Sequence, residues 1–149
     1  MQEISNYTKI ILPSYSKNER LTRMYVSAFA SQLDPTIEEI NDIKAAVSEA
    51  VTNAIVHGYR NTAGDITIQL RIVNHDTLYI KISDKGVGIP DVKKAMEPLY
   101  TTCPEEERAG LGFAVMESFT DKIRVTSKVG KGTSVTLIKR LKGRTEQAV

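Results

Sequence analysis

The sequence predicts an α+β two-layer sandwich, in which helices cover one face of a mixed, mostly antiparallel sheet. Two observations support this class. Helical patterns come early in the chain, and the strand patterns that follow come as hairpins rather than alternating with helices. The 149 residues, 41% of them hydrophobic, are enough for one domain with a substantial core. We therefore expect a single domain over residues 1–149, with a basic tail from about residue 141 that frays.

The first part of the chain predicts one short strand and one helix. Residues 8–12 are a strand candidate that ends at Pro13, and residues 18–32 have a helical pattern. A longer helix follows over residues 37–57. Thr36 and Glu39 have the spacing of a capping box at its start, and Gly58 marks its end.

The second part of the chain predicts two hairpins. Apolar and polar residues alternate over residues 66–72 and 78–83, and the turn residues 74–76 lie between them. Two further strands, over residues 123–127 and 134–140, flank a glycine-rich turn at 130–132. A short helix over 91–97, a polar loop over 98–110 and an apolar helix over 111–119 separate the two hairpins.

Composition and charge exclude several classes of function. The formal net charge is +2, which is too balanced to indicate nucleic acid or an acidic membrane as the main partner. Cys103 is the single cysteine, so no internal disulfide can form, as is typical of a reducing cytosol. The chain starts without an apolar signal sequence, and it contains no run of 18 apolar residues. We therefore expect a cytoplasmic protein that does not cross a membrane.

One candidate site is a carboxylate inside the apolar part of the long helix. Glu49 is the only charged residue between Ala45 and Val56, and Glu49, Asn53 and His57 follow one another at four-residue intervals. Residues spaced in this way share a narrow strip of the helix surface. Glu49 is a candidate base, and the Asn53 amide oxygen suits Mg²⁺. A glutamate bonded to backbone at a packing seam and a histidine that caps the helix C-terminus are the alternatives.

A second candidate site lies at the end of the second hairpin strand. Asp84 continues the apolar face of that strand, so its carboxylate points toward the core side. A carboxylate in this position requires a donor, and the exocyclic amine of a purine is one. Gly86 and Gly88 allow the backbone to turn sharply and to approach a flat ligand closely. The alternative is a plain Asp-x-Gly turn that closes the strand.

A third candidate site is the start of the apolar helix. Gly110 and Gly112 lie where backbone N–H groups at a helix N-terminus can bind phosphate. Thr101, Thr102 and Arg108, in the preceding polar loop, are phosphate-compatible donors. A flexible loop with a glycine hinge before a core helix is the alternative.

The order of these features is more specific than any one of them. A helix with Glu-x-x-x-Asn is followed by a strand ending in Asp-x-Gly-x-Gly, a polar segment, Gly-x-Gly opening a helix, and Gly-Thr before a last strand. This order resembles the Bergerat-type ATP-binding fold of gyrase B, histidine kinases and MutL. The closer resemblance is to the anti-sigma F factor kinases of spore-forming bacteria, over about residues 18–137. The segments that carry it are residues 32–36, 48–59, 98–102 and 107–113.

The resemblance implies a role for each candidate residue. Glu49 is similar to the catalytic base, Asn53 to the Mg²⁺ ligand, and Asp84 to the carboxylate that binds adenine. Arg23 resembles the arginine that contacts both the sigma factor and the anti-anti-sigma protein, although a solvated arginine on a helix face is the alternative. The remaining implied nucleotide-binding residues are His57, Gly86, Gly88, Thr101, Thr102, Arg108, Gly110, Gly112 and Thr133. This chain departs from the family at Cys103, where a basic residue is expected.

The resemblance also implies the activity. It implies an anti-sigma factor that inhibits the sporulation sigma factor F when nucleotide is bound. It also implies an ATP-dependent serine/threonine kinase that uses Mg²⁺ and ATP to phosphorylate a serine of an anti-anti-sigma partner. Proteins of this kind act as homodimers, so the resemblance implies a homodimer. The alternatives are a detached histidine-kinase catalytic domain, an ATP-gated binding module without kinase activity, and an anti-sigma kinase of the general stress branch.

Overall fold

The computed structural model describes residues 2–97 and 112–143. Its strands form one sheet in the order β1-β2-β3-β5-β4, and each neighbouring pair is antiparallel. The prediction of an α+β sandwich is confirmed. The strands are β1 (Ile4–Pro13), β2 (Asp65–Val73), β3 (Thr77–Asp84), β4 (Lys122–Lys128) and β5 (Gly132–Arg140), and the α-helices are α1 (Lys17–Ala30), α2 (Ile37–Asn53), α3 (Val92–Ala95) and α4 (Gly112–Phe119).

The core lies between the helices and one face of the sheet. The predicted alternation in β2 is confirmed, since its four isoleucine and leucine side chains are buried while Gln69 and Arg71 between them are exposed. One face of the sheet therefore buries its apolar surface against the helices, away from water. This burial is the main favourable contribution to the free energy of folding. The largest fully buried side chains include Ile43, Val47 and Val51 of α2, Val26 of α1, Met116 of α4, and Leu78, Ile80, Ile82 and Leu137 of the sheet.

The capping box at the start of α2 is confirmed, and it has an additional function. The Thr36 hydroxyl accepts the Glu39 N–H at 3.1 Å, and Glu39 accepts the Thr36 N–H at 3.0 Å. The buried Glu39 carboxylate also accepts the N–H groups of Lys142 and Gly143, at 2.7 and 3.1 Å. One carboxylate therefore joins the start of α2 to the chain that follows β5.

The long helix does not end as the sequence predicts. The α-helix stops at Asn53, and residues Ala54–Gly58 form a π-helical turn. The Tyr59 N–H bonds to the Ala54 carbonyl at 2.9 Å, five residues back. The wider turn leaves the Gly58 carbonyl to accept the Val87 N–H, also at 2.9 Å. Tertiary pairing with the segment after β3 has therefore replaced the last regular turn of the helix.

Other boundaries differ by a few residues. Strand β1 is longer than residues 8–12, because β2 pairs with it from Ile4 to Pro13. The short helix is limited to Val92–Ala95, where the Asp91 carboxylate accepts the Lys94 N–H at 3.0 Å. The predicted loop 98–110 lies outside the described residues. Among the residues described, no helix has the length and apolar character needed to cross a membrane.

Candidate functional site

Three elements place the predicted site residues at one end of the sheet. Asp84 is the last residue of β3 and lies opposite Thr133 of β5. The π-helical turn after α2 brings Gly58 onto the Asp84 side chain. The structure therefore brings Asp84, Gly86 and Thr133 close together. It also brings Gly58, the residue after His57, into contact with Asp84.

The Asp84 carboxylate is poorly solvated. Removal from water raises its pKa above the ordinary aspartate value, and the backbone N–H groups of Gly86 and Thr133 partly offset this rise. The Gly86 N–H donates to Oδ1 at 2.9 Å. A carboxylate in this condition is a strong acceptor for one further donor. An exocyclic amine on a flat heterocycle is a donor of the right chemistry.

Two glycines allow backbone and carboxylate to approach each other closely. A Cβ added at Gly58 would lie 2.8 Å from Asp84 Oδ2 and 3.0 Å from Oδ1. A Cβ added at Gly86 would lie 2.0 Å from the Gly58 carbonyl oxygen. Any side chain at either position would displace the carboxylate or the turn beside it. The close packing of this turn therefore requires a glycine at both positions.

Position 88 requires glycine because of its backbone conformation. Gly88 has a φ of +78°, a conformation that L side chains rarely adopt, and a Cβ there would lie 2.3 Å from the Lys128 carbonyl oxygen. The segment after β3 thus turns back against the end of β4. Across the sheet, Gly132 fits against the Asp84 carbonyl, since a Cβ there would lie 2.1 Å from that oxygen.

The Thr133 hydroxyl belongs to a small polar network beside Asp84. Thr133 is 8% exposed, and its hydroxyl lies 2.7 Å from that of Ser127. Ser127 in turn accepts the Ile89 N–H at 2.7 Å. A hollow of about 290 Å³ opens at this point, lined by Asp84, Ser127, Thr133 and Lys131 among others. The network fixes Thr133 against the wall of the hollow.

Asn53 lies against the start of helix α4. A Cβ added at Gly112 would lie 3.0 Å from Asn53 Oδ1 and 3.2 Å from Nδ2. The two predicted residues are thus adjacent, although they are 59 positions apart in the sequence. In residues 2–97 and 112–143, no group of three or more His, Cys, Asp or Glu side chains could hold a metal by itself. A single amide oxygen fits Mg²⁺ only where other oxygens, such as those of phosphates, complete its shell.

Glu49 lies one turn before Asn53 on α2 and is 7% exposed. A second hollow, of about 180 Å³, opens beside it between α1 and α2. Arg23 of α1 and Lys44 of α2 line this hollow together with Glu49. Arg23 Nε lies 2.7 Å from Glu19 Oε1, one turn earlier on α1. The structure therefore places Arg23 beside the candidate base, which the sequence alone did not establish.

The remaining predicted residues divide into two groups. His57 lies half-buried within the π-helical turn, next to Gly58. Thr101, Thr102, Arg108 and Gly110 lie outside the described residues.

Sequence reasoning missed two residues that fix the Asp84 turn. The Tyr59 hydroxyl accepts the Lys85 N–H at 2.8 Å and donates to the Asp65 carbonyl. Tyr59 therefore joins the segment after α2 to the end of β3, directly beside Asp84. The sequence pattern indicates Gly58 only as a helix end. The adjacent glycine and tyrosine at positions 58 and 59 were the available sequence signal of a specific turn. Only the fold shows that this turn contacts the end of β3.

Comparisons with known proteins identify the family of this chain. A family model described as the histidine kinase-like ATPase domain matches residues 12–139. An anti-sigma F factor of Clostridium acetobutylicum is 50% identical over 137 residues, which cover 92% of this chain and 95% of the relative. An anti-sigma F factor of Caldanaerobacter subterraneus subsp. tengcongensis is 54% identical over 137 residues, with the same coverage of 92% and 95%.

Solved structures show the same fold at lower identity. The RsbU and RsbW domains of a Mycobacterium tuberculosis protein give a TM-score of 0.65 at 23% identity, over 92% of this chain and 32% of that longer chain. The mycobacterial sensor histidine kinase MprB gives a TM-score of 0.60 at 16% identity, over 90% of this chain and 98% of that one. Given the matches at 50% identity or more over nearly the whole length, the chain belongs to the anti-sigma F factor family and carries a histidine kinase-like ATPase domain.

Proposed function

We propose that this protein is a cytosolic anti-sigma factor and a serine/threonine kinase that uses Mg²⁺ and ATP. One observation carries the kinase proposal. Glu49 is buried one helical turn from Asn53, and beside it a hollow opens that Arg23 also lines. Burial of a carboxylate costs free energy, and a role as the base in phosphoryl transfer gives this burial a chemical purpose.

The order of residues along α2 gives the bound nucleotide a direction. Adenine would donate its exocyclic amine to Asp84, beside Gly58. The phosphates would lie near Asn53 and the N-terminus of α4, where backbone N–H groups and the helix dipole favour anions. The γ-phosphate would then point toward Glu49, since each four-residue step along α2 advances about 6 Å.

The proposed reaction is transfer of the γ-phosphoryl group to a serine hydroxyl. The serine Oγ forms a bond to Pγ, and the bond from Pγ to the bridging oxygen of ADP breaks. Glu49 accepts the hydroxyl proton, and ADP leaves with the electron pair. Asn53 would supply one oxygen ligand to Mg²⁺, which neutralises phosphate charge when bound.

The proposed partners are the sporulation sigma factor F and an anti-anti-sigma protein. The named relatives are anti-sigma F factors. Arg23 is half-exposed on α1 and is held by Glu19 close to Glu49, so a partner docked there would reach the candidate base. We propose that nucleotide controls which partner binds, because the phosphate end of the site adjoins this surface.

We also propose that the protein acts as a homodimer through strand β1. This ten-residue strand is at the edge of the sheet, and Ile4, Tyr7 and Ile11 on it are 55–75% exposed. A long, apolar edge strand favours pairing with another strand. Light scattering of the Tyr7→Lys and Ile11→Lys double variant tests this, and a dimer unchanged by both charges would contradict it.

The test of kinase activity uses purified protein, Mg²⁺, labelled ATP and a candidate anti-anti-sigma protein from the same genome. We expect label on a partner serine, and we expect Glu49→Gln and Asn53→Ala each to abolish it. Glu38→Gln is the matched control, because Glu38 is an exposed glutamate in the first turn of the same helix. Full transfer by Glu49→Gln would refute the assigned base.

Three other outcomes would favour different functions. Measurable ATP binding without transfer to any partner would favour an ATP-gated module that sequesters a sigma factor. Transfer together with preferential binding of a general stress sigma factor would favour that branch of the family. A histidine-kinase catalytic domain would instead give acid-labile label on a histidine.

A further inference from the structure

The hollow between α1 and α2 has a chemistry that the assigned residues do not explain. Arg23, Lys44, Ser48 and Glu49 line it, together with Ala45. It thus holds two cations, one hydroxyl and one carboxylate within about 180 Å³. Because Glu19 pairs with Arg23, Lys44 is the cation of this hollow that a negatively charged ligand can engage.

Lys44 is the cation in this hollow that has no assigned role. Arg23 is engaged by Glu19 at 2.7 Å. Lys44 is half-buried, and it forms no hydrogen bond or ion pair with any residue in 2–97 or 112–143. The ammonium therefore remains available, on a flexible stem, to meet an anion in the hollow.

The position of the hollow relative to the nucleotide identifies that anion. In the nucleotide orientation proposed above, adenine lies at the Gly58 end and the phosphates lie at Asn53, and Glu49 comes next along α2. Lys44 lies five residues before Glu49, which is about 7.5 Å further along the helix axis in the same direction. A group that enters the hollow therefore approaches the γ-phosphate from the side opposite ADP, as in-line transfer requires.

We propose that this hollow is the acceptor subsite, in which Lys44 neutralises the phosphoryl group as it passes to the partner's serine. This inference rests on the proposed kinase function. The serine Oγ bonds to Pγ while the bond from Pγ to ADP breaks, and Glu49 takes the hydroxyl proton. The Lys44 ammonium then faces the oxygens of the new phosphoserine, whose charge at neutral pH is about −1.5 to −2.

The test is phosphoryl transfer to the partner by Lys44→Met, which keeps the length of the side chain and removes its charge. We expect kcat to fall about 10- to 100-fold, with the KM for ATP changed less than about twofold. Lys44→Arg should restore most of the rate. Lys81→Met is the matched control, because Lys81 is exposed on strand β3 and points away from the helices.

A second measurement separates charge neutralisation from a structural effect. In the ADP complex, Lys44→Met should bind the phosphorylated partner about tenfold more weakly than wild type does, and the unphosphorylated partner equally well. Transfer by Lys44→Met within twofold of wild type would overturn this inference while leaving the kinase function intact. Absence of transfer by the wild-type protein would overturn both.

Discussion

Replacement of Gly58 by alanine should weaken nucleotide binding while the fold persists. The new methyl carbon would lie 2.8 Å from Asp84 Oδ2 and 2.9 Å from its Cγ. Ordinary contact needs about 3.5 Å or more, so the carboxylate must move by roughly 0.5–1 Å. Oδ1 now accepts the Gly86 N–H at 2.9 Å, and such a movement breaks or stretches this bond.

The magnitude follows from the bonds that the displaced carboxylate makes. A hydrogen bond to a charged group contributes about 1.5–3 kcal/mol, so misplacement of the acceptor for adenine corresponds to a loss of about 10- to 150-fold in nucleotide affinity. Folding should suffer less. Gly58 has an ordinary negative φ, and alanine gains about 0.4–1 kcal/mol by restricting the unfolded chain. We therefore expect the free energy of unfolding to change by less than about 2 kcal/mol.

Isothermal titration calorimetry with ADP measures the affinity, and urea denaturation measures the stability. The control is a double-mutant cycle with Asp84→Ala. If the methyl group acts through the carboxylate, Gly58→Ala should cost nothing further once the carboxylate is absent. Wild-type affinity in a folded Gly58→Ala protein, or fully additive losses in the double variant, would refute the argument.

Three more predictions follow from the same contacts. Glu39→Gln should reduce the free energy of unfolding by about 1.5–3 kcal/mol at pH 7. Burial raises the pKa of Glu39, but the hydrogen bonds from the backbone of Thr36, Lys142 and Gly143 lower it by more, so the net shift is downward. The stability that the ionised carboxylate provides should therefore be lost as the pH falls below the ordinary glutamate range. Urea denaturation at a series of pH values measures this loss. Because burial raises the pKa of Asp84, ADP affinity should fall on acidification at a higher pH than an ordinary aspartate allows, and calorimetry of Asp84→Asn should show no such fall. Gly112→Ala should weaken the Mg²⁺-dependent part of ADP binding by displacing Asn53, and equal losses with and without Mg²⁺ would contradict this.

Local sequence patterns were sufficient wherever a residue's role depends on its near neighbours. The capping box of Thr36 and Glu39 depends on residues three apart, and the structure has both of its bonds. The hairpin strands were predictable because period-two alternation fixes which side chains are buried. The hairpin turn was likewise found, with Asn74 and His75 at positive φ.

Long-range packing determined what local patterns left open. The end of α2 departs from the predicted regular helix because the Gly58 carbonyl pairs with Val87, which is 29 positions later. The additional function of Glu39, which binds the chain after β5, depends on residues more than 100 positions away. No local propensity contains this information.

By itself, the sequence determined the fold class, the elements and the chemical types of the candidate residues, since each depends on short-range periodicity or on side-chain chemistry. Its resemblance to a known family supplied the roles. Only the tertiary structure decided which candidates meet. It placed Gly58 on Asp84, Gly112 on Asn53, and Arg23 in one hollow with Glu49. The physical reason is that each contact joins elements separated along the chain, and only sheet pairing and helix packing fix their relative positions.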